Sequence, residues 1–163
     1  MINNAGATAS WAACDQPMAR ASCGSRTASR PVSTTSGRRF TDPRRLVHWI
    51  GEVEGHLRLG GEYSFSFFAS GSEGSGRVEA CEPPSRLLVT MALNQGHENV
   101  IEATLAAAGD QTILVWEERG VPVDQLAGYG AGTQIHVEDL AAYLARRERC
   151  DAAARFGELF PVY

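Results

Sequence analysis

The chain has 163 residues and a net charge of −4, which is enough length for one domain with a real core. No apolar run is long enough to span a bilayer, and Met1–Ile2–Asn3–Asn4 does not open a basic and then apolar leader, so the expectation is a cytoplasmic protein. The charge is divided: residues 1–40 hold five arginines against Asp15 alone (+4), and residues 41–163 hold ten arginines against eighteen acids (−8). An acidic body argues against nucleic acid as the main partner and against attachment to an anionic membrane.

Every basic residue is arginine and none is lysine, which suggests a GC-rich, bacterial genome. Cys14, Cys23, Cys81 and Cys150 are scattered and form no CxxC pair, so reduced thiols are expected. Residues 1–38 are rich in Ala, Ser, Thr, Arg and Gly and show no period of 2 or 3.6. They read as a disordered or non-native tail, leaving residues 39–163 as the domain.

The character changes at Arg39. Thr41–Asp42–Pro43 starts a short helix with proline early, and Leu46, Trp49 and Ile50 share one side of it before Gly51. Gly60–Gly61 marks a hairpin between two extended runs. After it, Tyr63, Phe65 and Phe67 point one way and Ser64 and Ser66 the other, giving a strand with one aromatic face. Ser70–Gly76 reads as a turn, Gly76–Cys81 as a strand ended by Pro83–Pro84, and Arg86–Met91 as the next strand. Asn99–Ala106 alternates Ile101, Ala103 and Leu105 against Glu102 and Thr104. Gln111–Arg119 sets Leu114, Trp116 and Glu118 on one face and Ile113, Val115 and Glu117 on the other.

Thr133–Arg149 reads as one amphipathic helix. Val137, Leu140, Ala141 and Leu144 make its apolar stripe, and Thr133 is the expected N-cap. Glu138 and Asp139 lie early and Arg146, Arg147 and Arg149 late, as the helix dipole favours. Gly128–Gly132 before it is expected to be a flexible lead-in; without lysine or a surrounding βαβ unit it is no phosphate loop. The terminal residues 151–163 have room for one more helical turn before Pro161. Six strands in a meander followed by a long helix give an α+β fold.

The strings RRFTDPRRLVHWIGEVEG, LRLGGEYSFSFF, GSGRVEACEPPSRLLVTM, TILVWEERG and YGAGTQIHVEDLAAYL resemble the SRPBCC (START-like, Bet v 1-like) superfamily. Within it they are similar to the branch related to the activator of Hsp90 ATPase. The resemblance runs from about Arg39 to the C-terminus. It implies a helix-grip fold, in which a curved antiparallel sheet wraps the long C-terminal helix and leaves an apolar cavity. It also implies a binder of small molecules or a protein-binding module more often than an enzyme.

The chain departs from this pattern at its start, where the family has a strand and then a helix leading into TDP. Read one base out of frame, Val32–Gly37 permits the string IDDVW, and Ser22–Ser29 permits the (V/L)RF..R(V/L) pattern of the family's first strand. Either residues 15–37 are a frame-shifted reading of that strand and helix, or the tail is genuinely divergent. Without a first strand, one neighbour in the sheet is left with an open edge, and weak stability or aggregation is expected.

Within the expected cavity, Trp49, Tyr63, Phe65, Phe67 and Trp116 are candidate lining residues, with ordinary core packing as the alternative. His136 and Leu140 come from the closing helix. His136 is placed to orient a ligand or act as a base, unless it is a surface or satisfied half-buried histidine. Glu118, on the Trp116 side, is the candidate polar group, and Tyr129 is placed to close the mouth. His48, His56, His97 and His136 show no metal-ligand spacing, no nucleophile–base pair is evident, and no metal or cofactor is expected. Three functions compete: binding a hydrophobic small molecule, docking on a chaperone or other protein, and a cyclase- or hydrolase-like reaction using His136 or Glu118. An open cavity favours the first, a filled one the second, and a deep polar cluster the third.

Overall fold

The computed structural model describes residues 20–29, 40–94, 97–109 and 111–163. The side chain of Asp42 accepts the Arg44 N–H at 3.1 Å and caps α1 (Pro43–Leu46), with Pro43 in its first turn. Leu46, Trp49 and Ile50 are all buried, as their spacing predicts.

The six expected strands follow as β2 (Gly51–Gly55), β3 (Glu62–Phe67), β4 (Glu73–Glu82), β5 (Arg86–Leu93), β6 (Glu98–Ala108) and β7 (Gln111–Pro122). They pair in chain order as an antiparallel meander. The turn predicted at Ser70–Gly76 is shorter, because β4 already pairs with β3 from Glu73. On β6 and β7 the alternation holds: Ile101, Ala103, Leu114, Trp116 and Glu118 are buried, while Glu117 is exposed. On the outer face Glu102 binds both Arg86 and Arg119 at 2.7 Å.

The N-terminal region contains a seventh strand. β1 (Arg20–Ser29) runs antiparallel to β7 and closes the edge that the sequence reading left open. Its composition of Arg, Ala, Ser, Cys, Gly and Thr gives no apolar alternation. The pairing rests on backbone groups, which any non-proline residue supplies. β1 also falls where the shifted reading frame permits the family's first strand. The rest of the expected tail, and the IDDVW segment, lie outside the described residues.

The closing helix, α2 (Leu126–Leu144), begins seven residues before the expected cap. Gly128, Gly130 and Gly132 are therefore inside a helix and not in a flexible lead-in. A Cβ on Gly130 would lie 3.1 Å from the Tyr163 ring, so the missing side chain lets the chain end seat against α2. Thr133 is an interior residue and is buried. The helix stops at Leu144, and Arg146 takes a left-handed φ of 57°, so Arg146, Arg147 and Arg149 lie beyond its end. Arg149 instead covers the Phe68 ring at 3.9 Å.

Glu138 and Asp139 do not serve a helix start either. Asp139 accepts the Cys150 N–H at 2.9 Å, and Glu138 pairs with Arg155 at 2.7 Å. The first ties the segment just before α3 (Ala152–Leu159) to α2, and the second ties α3 itself. The main core joins α1, the inner sheet face, Val137 and Leu140. A smaller one joins Ala131, Ile135 and Leu159, with Ala69, Ala152 and Phe156 against it.

Candidate functional site

Between the inner sheet face and α2 lies a cavity of about 700 Å³. Its apolar wall includes Ile50, Phe67, Met91, Ile101 and Trp116, and the C-terminal segment adds Phe156 and Phe160. Of the sequence-derived candidates, Phe67, Trp116, Glu118, Tyr129 and His136 line it.

Trp49, Tyr63, Phe65 and Leu140 do not line it; they are buried in the main core. The cause for the two β3 residues lies on the next strand. Tyr63 and Phe65 pair with Gly76 and Gly74. A Cβ on either glycine would meet the opposing ring within 2.7 Å, so the rings lie across the sheet. The Tyr63 hydroxyl then donates to the Thr90 carbonyl at 3.1 Å. Trp49 is fully buried, edge-on to Phe40 and to Trp116 with ring centroids 5.6 and 6.3 Å away.

The buried polar groups of the lining come from two elements. β7 turns Glu118 inward two residues after Trp116, whose indole N–H donates to Glu118 Oε1 at 3.3 Å. Burial pushes the Glu118 carboxyl up to about 7, against hydrogen bonds from Trp116 and Thr133 that pull it down. Its Oε2 has no hydrogen-bond partner among the described residues. α2 places Thr133 and His136 one turn apart, both facing the cavity.

Burial holds His136 down at about 4, and a hydrogen bond to the Trp49 backbone carbonyl opposes this. The ring is therefore neutral at physiological pH. The Phe67 ring meets it edge-on at 5.3 Å, and its Nδ1 is unpartnered. Tyr129 and His97, both half-buried, hydrogen-bond to each other on the cavity lining. Burial and the nearby Glu118 charge push the Tyr129 hydroxyl up to about 12.

Sequence reasoning missed Thr133 and His97 as lining residues, and it missed Asn99. Asn99 is 1% exposed on the inward face of β6, and both ends of its amide lack a partner among the described residues. The signal was legible: one step back along the Ile101–Ala103 alternation puts an asparagine on an apolar face. No group of three or more metal-ligating side chains gathers among the described residues. Nor is any described helix long and apolar enough to cross a membrane.

Solved structures share this fold. The crystal structure of CalU16 from Micromonospora echinospora superposes with a TM-score of 0.77 at 23% identity, covering 95% of each chain. DynU16, from the dynemicin biosynthetic locus, gives 0.67 at 24% identity, covering 77% of this chain and 48% of its own. Protein CV1439 from Chromobacterium violaceum gives 0.60 at 22% identity over 73% of this chain and 95% of its own. No curated protein matches at the sequence level. The family model for Activator of Hsp90 ATPase homolog 1-like proteins matches residues 38–145, from the lead into α1 to the end of α2. On that match and the helix-grip architecture, this chain belongs to the Activator of Hsp90 ATPase homolog 1-like family of the SRPBCC superfamily.

Proposed function

We propose that the protein binds a hydrophobic small molecule in the cavity between its sheet and α2. The observation that carries this is the cavity itself. At about 700 Å³ it falls within the roughly 300–1,000 Å³ of small-molecule sites, and Ile50, Phe67, Met91, Ile101 and Trp116 give it an apolar wall. A domain whose task is docking on a chaperone needs no such interior space, so the open cavity favours a ligand over the protein-interaction reading suggested by the family name. DynU16 belongs to a biosynthetic locus, and a biosynthetic small molecule is the corresponding ligand class here.

The test uses N-phenyl-1-naphthylamine, an uncharged probe that fluoresces on leaving water. The purified chain is expected to bind one equivalent with a Kd of roughly micromolar order. Gly132 lines the cavity, and a Cβ there meets no atom within 4 Å. Gly132→Phe fills that space and is expected to abolish the signal while leaving a cooperative melt. Unchanged binding by Gly132→Phe rejects the cavity as the site.

A second reading has its own observation: Glu118 and His136 each present an unpartnered polar atom in this wall, as proton transfer to a bound molecule requires. Recovery of a bound natural ligand chemically unchanged after prolonged incubation excludes that enzymatic reading and leaves binding.

A further inference from the structure

Glu118 Oε2 and His136 Nδ1 stand out among the buried polar atoms. Both residues line the cavity between the sheet and α2, at 5% and 7% exposure, and neither atom has a partner among the described residues. A buried polar atom left unsatisfied costs about 1–3 kcal/mol, so each is a place where a ligand group gains binding.

Their chemistry differs. A protonated carboxyl presents one O–H, and Glu118 Oε1 is already occupied by the Trp116 indole. In a neutral imidazole one nitrogen donates and the other accepts. His136 Nδ1 has no partner among the described residues, and with the ring proton on the other nitrogen it is an acceptor. These two unpartnered positions thus offer one donor and one acceptor. The wall carries no arginine among its described lining residues, but it does carry Glu73 and Asp124. An anionic ligand therefore meets repulsion without a counter-charge. Trp116, Phe67, Tyr129, Phe156 and Phe160 supply ring surface around these two points.

We propose that the cavity selects an uncharged aromatic molecule bearing both a hydrogen-bond acceptor and a hydroxyl, the acceptor taken by Glu118 and the hydroxyl by His136. This rests on the ligand-binding reading and narrows it to a hydroxylated aromatic carbonyl, excluding plain hydrocarbons and fatty acids.

Calorimetric titration of the full chain at pH 6 with four naphthalenes tests it: 2-isopropylnaphthalene (neither group), 2-acetylnaphthalene (acceptor), 6-acetyl-2-naphthol (both) and 2-naphthoate (anion). The naphthol is expected to bind at least about tenfold more tightly than the isopropyl compound, with 2-naphthoate the weakest. Glu118→Leu is expected to erase the advantage of 2-acetylnaphthalene over the isopropyl compound, while Glu118→Gln, which keeps a donor, retains it. His136→Phe is expected to erase only the increment from the hydroxyl. Equal affinity for the naphthol and the isopropyl compound, or tightest binding of 2-naphthoate, overturns the inference and leaves the cavity as a hydrophobic site. Absence of binding by all four overturns the ligand-binding reading as well. The wild-type series decides the matter even if a variant fails to fold.

Discussion

Glu118 and His136 respond to pH in opposite directions because burial favours the neutral form of each. For Glu118 the ordinary value of 4.5 rises to about 7. Below 4.5 both folded and unfolded chains hold the proton and nothing is lost. Between 4.5 and 7 the unfolded carboxyl ionises first and the folded state loses ground, by about 3 kcal/mol when complete. For His136 the ordinary 6.5 falls to about 4, so its contribution is full above 6.5 and is lost as pH falls toward 4. The two slopes oppose each other between 4.5 and 6.5. Glu118→Gln removes only the first. Urea melts at pH 5 and pH 8 are expected to show this variant gaining on the wild type by roughly 2–3 kcal/mol across that interval. A gap that stays constant means the carboxyl is not held neutral by the fold. Glu118's side of β7 was legible from alternation alone. Its partnerless Oε2 was not, because that depends on what α2 brings opposite it.

At the scale of elements, α2 carries three glycines with different environments. Gly130 faces the Tyr163 ring, while Gly132 faces open cavity space. Gly157 in α3 has nothing within 4 Å of its would-be Cβ and is exposed. Alanine relieves the conformational freedom of glycine in a helix by roughly 0.5–1 kcal/mol when space allows. Gly157→Ala is therefore expected to raise stability by about that much with probe binding unchanged. Gly132→Ala is expected to raise it similarly while weakening binding of the larger probes. Chemical denaturation and probe titration of both variants check the pair; a destabilised Gly157→Ala would contradict the helical assignment of α3. The long helix was predicted from its apolar stripe, yet its start was misplaced by the glycine run. Glycine lowers helix propensity locally, and only the terminal residues packed against α2 reveal why it is accepted there.

For the whole molecule, β1 determines whether the sheet has an exposed edge at β7. A chain beginning at Phe40 lacks that strand and presents β7's unpaired N–H and C=O groups. It is expected to melt lower than the full chain and to form larger species in light scattering. Equal melting and a monomeric profile would show that β1 contributes little to the edge. The coding DNA across residues 10–40 tests the origin of this segment: a strand–helix pattern in the shifted frame is expected if residues 15–37 are a displaced reading, and its absence leaves a genuinely divergent strand. The sequence by itself determined the six-strand meander, the capped α1 and the existence of the closing helix. Each is written in short-range patterns, namely period-2 alternation, an Asp–Pro start and a recurring apolar stripe. Only the tertiary structure decided that small polar residues at 20–29 form a strand, that the Tyr63 and Phe65 rings lie across glycines and not in the cavity, and that Glu118 and His136 line one cavity. These outcomes depend on backbone partners, ring neighbours and facing surfaces supplied from far along the chain, and no local pattern carries that information.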